Sequence, residues 1–180
     1  MQQEKELLDA VKSRNFKLIE ELIKGGADVN HLFETGIDSI FWAVTEKDVE
    51  MVRFLLKYPI DLGRQYDKKK FSLLHASAES YDITKLLLDK GIEVDSKDFY
   101  GNTPLFTALY YAPLKGGTYD VVELLLQHGA DPYLKNRVGE ILVGKKKVPM
   151  GESLSPYMVA ERDENKIELE LFDKYKKHAK

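Results

Sequence analysis

The chain of 180 residues contains no cysteine. Disulfide bonds, cysteine-ligated zinc and a thiol nucleophile are therefore excluded, and the absence fits a reducing compartment. The N-terminus lacks the basic start and apolar run of a signal peptide. No apolar stretch approaches the roughly 18 residues that a membrane helix needs. These absences predict a cytoplasmic protein that does not enter a membrane.

An excess of charge of one sign is also missing. The chain carries 27 basic and 30 acidic residues, for a net charge of −3. Hydrophobic residues make up 43% and charged residues 32%, an ordinary balance for a folded domain. Bulk charge therefore gives no indication of nucleic-acid binding, and the length predicts one compact domain.

Motifs of catalysis and cofactor binding are absent as well. There is no HExxH, no GxSxG and no paired metal-ligand spacing. The segment 139–146 approximates a phosphate-binding loop, but Lys146 stands where a serine or threonine must meet magnesium, and the interior is not glycine-rich. We therefore expect no enzyme activity, no cofactor and no metal site.

What the sequence does contain is a repeat with two markers. Four segments share an aliphatic pair and an acidic end, with acidic residues 33, 32 and 38 positions apart: Leu22–Asp28, Leu55–Asp61, Leu87–Glu93 and Leu125–Asp131. A second marker recurs between and after them: Asp38–Ala43, Ser72–Ala78, Thr103–Ala108 and Ser155–Ala160.

The second marker resembles the T-P-L-H-x-A signature of ankyrin repeats, whose period is about 33 residues. The resemblance covers essentially the whole chain. It implies an all-α solenoid of stacked helix-turn-helix units with β-hairpin fingers. We expect a single domain over 1–180, with units at about 1–30, 31–62, 63–95, 96–133 and 134–180, the first and last being caps.

Local chemistry supports these units. The first helices have good N-caps in Asp38, Ser72, Thr103 and Ser155, and glycines 26, 91 and 129 suit the left-handed residue that ends a helix. Second helices are predicted over 16–24, 49–58, 83–90 and 120–128, with Pro59 changing how the second of these ends. A last helix near 165–177 should turn Ile167, Leu171 and Phe172 inward, with Glu168 and Glu170 on the polar face.

Two insertions interrupt the repeat. The segment Ala112–Thr118 is predicted to be a loop from its Pro and Gly content. The segment Gly139–Leu154 has two short apolar runs around a Gly-Lys turn, which predicts an elongated hairpin. Insertions in repeat proteins usually form loops, often on the binding face.

The resemblance implies a concave binding groove, lined by the finger tips and the exposed ends of the first helices. Position by position, the candidates for partner binding are Glu34, Thr35, Ile37, Thr45, Glu46, Lys68, Lys69, Phe71, Glu79, Ser80, Phe99, Tyr100, Asn102, Tyr110, Tyr111, Arg162 and Asp163, with Lys145 and Lys146 on the hairpin.

The fourth unit stands out because four of its five candidates are aromatic: Phe99, Tyr100, Tyr110 and Tyr111. Aromatic residues are enriched in interface cores and supply contact area at little entropic cost. The alternative is that Tyr110 or Tyr111 packs under the neighbouring insertion. Trp42 stands at a position that is usually packed between first helices, so we expect it in the core.

Two lysine runs, 68–70 and 145–147, fall on predicted finger tips. One interpretation is a solvated turn, and another is an acidic partner. A third is nucleic acid, since aromatic side chains beside basic tips could stack on bases.

Together these observations predict a non-catalytic module that binds a partner protein and inhibits or scaffolds it. A stand-alone chain of this kind resembles bacterial immunity or antitoxin proteins that block a cognate toxin, an expectation by analogy alone. Two alternatives stay open: an enzyme or small-ligand binder with an unrecognised pocket, and a nucleic-acid binder using the lysine tips. We expect a monomer.

Overall fold

A computed structural model of the chain describes residues 2–112, 119–137, 140–143, 146–149 and 153–176; of the two four-residue strands it describes the backbone. These residues contain helices that come in pairs along the chain. They are α1 (Gln2–Lys12), α2 (Phe16–Lys24), α3 (Ser39–Thr45), α4 (Val49–Leu55), α5 (Leu73–Ala76), α6 (Tyr81–Asp89), α7 (Pro104–Tyr111), α8 (Asp120–Gln127), α9 (Pro156–Arg162) and α10 (Lys166–Tyr175).

The helices form two rows that share one core. The first helices α1, α3, α5, α7 and α9 each contact the next in the row, and so do α4, α6, α8 and α10. Helix α2 reaches the second row through the rings of Phe16 and Phe54, whose centroids are 4.9 Å apart. Because contacts run from each unit to its neighbours, stability is a sum of unit and interface contributions. The predicted all-α repeat solenoid is confirmed.

The predicted helix boundaries follow from capping chemistry. All four expected N-caps accept a hydrogen bond from a main-chain N–H three residues on: Asp38, Ser72, Thr103 and Ser155. Pro104 and Pro156 stand at the start of their helices, where a missing N–H costs nothing. Gly26, Gly91 and Gly129 have φ of +95°, +76° and +89°, which confirms the predicted left-handed ends.

Two helices differ from their neighbours. Helix α4 ends at Leu55, short of the expected Tyr58, because a residue before proline is disfavoured in helical conformation and Pro59 follows. Helix α5 has only four residues. Its unit is two residues shorter than the second unit at this point, since Ser72 to Ile83 spans 11 positions and Asp38 to Met51 spans 13. There Thr84 donates a hydrogen bond to the Ser77 carbonyl (2.9 Å) and ties the shortened turn to α6.

Buried polar side chains also join one unit to the next. The carboxylate of Asp38 accepts hydrogen bonds from the Tyr66 hydroxyl (2.9 Å) and the Arg64 guanidinium (3.1 Å). Burial nevertheless raises the pKa of Asp38, since loss of hydration outweighs these bonds. Trp42 is half-buried against the core, as expected for a packed position.

The segment Gly139–Leu154 contains an antiparallel hairpin, as predicted. Strand β1 (Glu140–Val143) pairs with β2 (Lys146–Pro149), with Glu140 opposite Pro149 and Val143 opposite Lys146. At its base, the main-chain N–H of Asn136 donates to the Leu154 carbonyl and Leu154 N–H donates to the Asn136 side chain, both at 2.9 Å. Of the other predicted insertion, Ala112–Thr118, only Ala112 is described, as the C-cap of α7, and 113–118 lie outside the described residues.

Helix α10 corrects one expectation. Ile167 is 55% exposed, whereas Glu168 is only 6% exposed and shares the buried face with Phe172. Residues four apart lie on the same face of a helix, so Glu168 follows Phe172 inward, while Ile167 is carried to the outer face. The prediction assigned residues to the two faces of the helix by residue type, whereas the helical period places Glu168 on the buried face and Ile167 on the exposed face.

Candidate partner-binding surface

The fingers between units are tight turns held by their own main chain. We number each finger by the unit that it begins. In the third finger, Tyr66 and Phe71 exchange two main-chain hydrogen bonds of 2.8 and 3.1 Å, and lysines 68–70 are exposed between them. In the fourth, the buried carboxylate of Asp98 accepts hydrogen bonds from the N–H groups of Tyr100 and Asn102, both at 2.8 Å. Each tip therefore has a fixed shape.

Main-chain hydrogen bonds also link successive fingers. The N–H of Phe99 donates to the Lys69 carbonyl at 2.7 Å, and the N–H of Arg137 donates to the Tyr100 carbonyl at 2.6 Å. Gly101 makes the second link possible, because a Cβ there would lie 2.6 Å from the Arg137 nitrogen. We call this chain of tip-to-tip bonds the finger ladder.

A groove of about 270 Å³ opens between these tips and helix α7. We call it the aromatic groove. Its lining comes from the third finger, the fourth finger and one face of α7, and consists of Lys69, Phe71, Asp98, Tyr100, Asn102, Phe106, Thr107, Tyr110 and Tyr111. Six of these nine residues are among the partner-binding candidates named from the sequence.

The groove presents unusually exposed aromatic side chains. Tyr110 is 70% exposed and Tyr100 is 48% exposed. The Tyr111 ring is half-buried and meets the Tyr110 ring edge-on at 5.3 Å. The ammonium group of Lys69 lies 5.7 Å from the centre of the Phe71 ring, a distance that allows a cation–π interaction.

The fourth aromatic candidate, Phe99, is 57% exposed but does not line the groove; its ring contacts Tyr100 edge-on at 5.4 Å. Three lining residues were missed: Asp98, Phe106 and Thr107. Phe106 and Thr107 precede Tyr110 and Tyr111 by four positions on α7, so helical spacing could have found them. Asp98 could have been found from the turn it caps.

His75 is buried and contacts two lining residues of the groove, Phe71 and Asn102. Its Nδ1 accepts the Ser72 main-chain N–H at 3.2 Å, so the proton is on Nε2, which donates to the Asn102 carbonyl at 3.0 Å. Burial lowers the pKa of His75, which keeps the ring neutral and this pattern intact. Its ring also stacks on Phe71 at 5.6 Å. His75 therefore links the turn before α5 to the turn before α7.

The remaining candidates lie on other parts of the surface. Glu34, Thr35, Thr45, Glu46 and Lys68 are exposed, and Ile37 and Ser80 are half-buried. Glu79 pairs with Lys47 at 3.0 Å, and Arg162 pairs with Asp163 at 2.8 Å, which lowers the pKa of that carboxyl. The structure does not bring these residues into the aromatic groove. Lys145 lies outside the described residues, and of Lys146 only the strand backbone is described.

Comparison with protein families decides what kind of repeat this is. A family profile described as "Ankyrin repeats (3 copies)" matches residues 7–98 and 40–136. The two matches together cover well over half of the chain.

The chain is an ankyrin-repeat protein.

Its relatives differ in size and kind. It is 28% identical, over 76% of its own length, to a putative ankyrin repeat protein of Acanthamoeba polyphaga mimivirus, of which it covers 18%. A second putative ankyrin repeat protein of that virus is 34% identical over 62% of the chain, which covers 70% of it. Serine/threonine-protein kinase 12 of Arabidopsis thaliana is 30% identical over 62% of the chain, which covers 22% of the kinase. The chain thus spans less than a quarter of the first mimivirus protein and of the kinase.

Ankyrin repeats are protein–protein interaction modules, and the chain belongs to this class because it belongs to the ankyrin-repeat family. Within the part of the chain that the structure describes, no three histidine, aspartate or glutamate side chains converge on a point that could hold a metal ion. No described helix has the length and hydropathy to cross a bilayer.

Proposed function

We propose that the protein binds another protein through the aromatic groove, without catalysing a reaction, and so inhibits or scaffolds its partner. The observation that carries this proposal is the exposure of Tyr100, on the fourth finger, and Tyr110, on α7, in the lining of one groove. Large aromatic side chains left in solvent are costly unless a partner covers them, and tyrosine is enriched among residues that dominate binding energy.

The groove is also rigid before binding. The finger ladder fixes the third finger against the fourth, and the His75–Asn102 hydrogen bond fixes the fourth finger against the unit below. A surface that is already ordered loses little conformational entropy when a partner binds. Inhibition of a toxin enzyme remains a prediction by analogy within this function.

The test begins with affinity capture from a lysate of the source cells and identification of the captured protein. The dissociation constant of that protein is then measured for Tyr100→Ala combined with Tyr110→Ala. We expect the double variant to bind at least about thirtyfold more weakly, since one hot-spot aromatic is worth about 2 kcal/mol.

Tyr81→Ala is the matched control, because Tyr81 is 44% exposed at the start of α6 and lies outside the groove. It should bind within about twofold of the unmodified protein, as a surface substitution away from an interface does. If the double variant binds as tightly as Tyr81→Ala, the groove is not the binding surface. If the unmodified protein captures nothing above background, the proposed function itself is wrong.

A further inference from the structure

A second cavity lies beside the aromatic groove, between α7 and α9. It encloses about 290 Å³ and shares Phe106 and Tyr110 with the groove. Leu109, Pro156 and Val159 supply the rest of its apolar lining. This volume is at the bottom of the range for small-molecule sites, about 300–1,000 Å³. It therefore suits one long side chain of a partner better than a whole ligand.

The end of this cavity is polar. Glu168 and Asn165, from the start of α10, line it together with Asp163. Glu168 is only 6% exposed, and its hydrogen-bond partner is the Tyr119 hydroxyl. The amide of Asn165 is occupied, because it donates to the Tyr119 hydroxyl and accepts the Glu168 main-chain N–H.

Glu168 is a buried acid with no cationic partner in the part of the chain that the structure describes. Among the described residues, no lysine or arginine forms an ion pair with it. Asp163, by contrast, is already paired with Arg162, which is 61% exposed. Burying a carboxylate without a positive partner is unfavourable, and burial accordingly raises the pKa of Glu168. A cation that entered the cavity would relieve that cost.

We propose that this cavity receives a basic side chain, best an arginine, from the bound protein. Its methylene groups would pack on Leu109 and Val159, as the stems of long basic side chains do. Its guanidinium would donate charge-assisted hydrogen bonds to Glu168 and lie against the Phe106 and Tyr110 rings, which suit a planar cation. The inference deepens the proposed function and rests on it for the source of the arginine.

The cavity can be tested without the partner. The full chain, labelled with ¹⁵N, is titrated with N-acetyl-arginine amide and followed by NMR. N-acetyl-citrulline amide has the same shape without the charge, and N-acetyl-norleucine amide has only an apolar stem. We expect saturable shifts at Val159, Asn165 and Glu168, with the arginine compound binding at least about tenfold more tightly than either analogue.

Two variants locate the charge. Glu168→Gln keeps an acceptor for the Tyr119 hydroxyl and should reduce arginine binding to the level of citrulline. Glu170→Gln, on the exposed side of the same helix, should leave binding within about twofold. Equal binding of arginine and citrulline, no saturable shift, or unchanged binding by Glu168→Gln would each overturn the proposal.

A third variant keeps the proposal testable if the Glu168→Gln protein does not fold. Val159→Phe fills the cavity without changing charge and should also abolish the arginine shifts. These measurements use no partner, so they can fail while Tyr100 and Tyr110 still prove essential for capture. Equally, they can succeed if capture fails, which separates this inference from the proposed function.

Discussion

Asp95 shows how one half-buried side chain can destabilise the fold that contains it. Both of its carboxylate oxygens lie 3.2 Å from the Asp131 main-chain nitrogen, which donates to them. Burial nevertheless raises the pKa of Asp95 to about 6, and the charges of Asp131 and Glu93 add to the effect. The folded state therefore holds this proton more tightly than the unfolded chain does. Asp95 destabilises the fold above about pH 6, and this penalty is relieved as pH falls.

Asp95→Asn should therefore stabilise the protein near neutral pH, because its amide oxygen can still accept the Asp131 N–H. We expect a gain on the order of 1 kcal/mol at about pH 7.5, reduced by solvent screening of the half-exposed group. The gain should be largely lost near pH 4, where the carboxyl is protonated in the folded state and about half protonated in the unfolded chain. Urea titrations at both pH values measure it, and an equal effect at both would contradict the assigned cause.

At the scale of the element, the fourth finger depends on one close approach. Gly101 and Gly91 both have φ of +76°, but only at Gly101 would a Cβ meet the next segment, 2.6 Å from the Arg137 nitrogen. At Gly91 nothing lies within 4 Å. The two glycines therefore separate the cost of backbone strain from the cost of losing a finger contact.

Gly91→Ala should lower the free energy of unfolding by about 1 kcal/mol, the usual cost of alanine at positive φ. Gly101→Ala should lose roughly 1–2 kcal/mol more, because the Arg137–Tyr100 hydrogen bond must also break or shift. Chemical denaturation of both variants checks the difference. Equal losses would mean that the finger ladder contributes nothing at this link.

The start of a helix was predictable from the sequence where capping chemistry decides it. Which face of a helix is exposed was less predictable. Thr103 and Ser155 mark their helices because a side-chain acceptor is needed there whatever surrounds it. Ile167 and Glu168 could not be assigned by residue type, because the register set by Phe172 carries Glu168 inward. The aromatic groove was predicted only in part. Helical spacing from Tyr110 points to Phe106 and turn chemistry points to Asp98, but neither shows that α7 and the third finger line the same groove.

At the scale of the whole molecule, His75 joins two units through a single neutral ring. It connects the cap of α5 to the Asn102 carbonyl of the next finger. Because its pKa is lowered in the fold, its contribution is present above about pH 6.5, the ordinary value, and is lost as pH falls below it. Coupling between the third and fourth units is therefore sensitive to acid.

His75→Ala should cost about 2 kcal/mol and broaden the unfolding transition, because weaker coupling between units lets the two halves unfold separately. His128→Ala is the control: His128 is exposed, and its ring hydrogen-bonds to the Leu124 carbonyl of its own unit at 2.8 Å. It should cost less than about 0.5 kcal/mol. Circular dichroism during urea unfolding measures both, and a transition as sharp in His75→Ala as in His128→Ala would refute the coupling.

The finger ladder has a consequence for how such a surface can change over generations. Its links at Phe99 and Arg137 run from main-chain N–H to main-chain carbonyl, so they survive replacement of the side chains at those positions. Mutation can therefore change the side chains at each tip while the spacing of the tips stays constant. Recognition and architecture can evolve separately here, and a new partner can be acquired without refolding the scaffold.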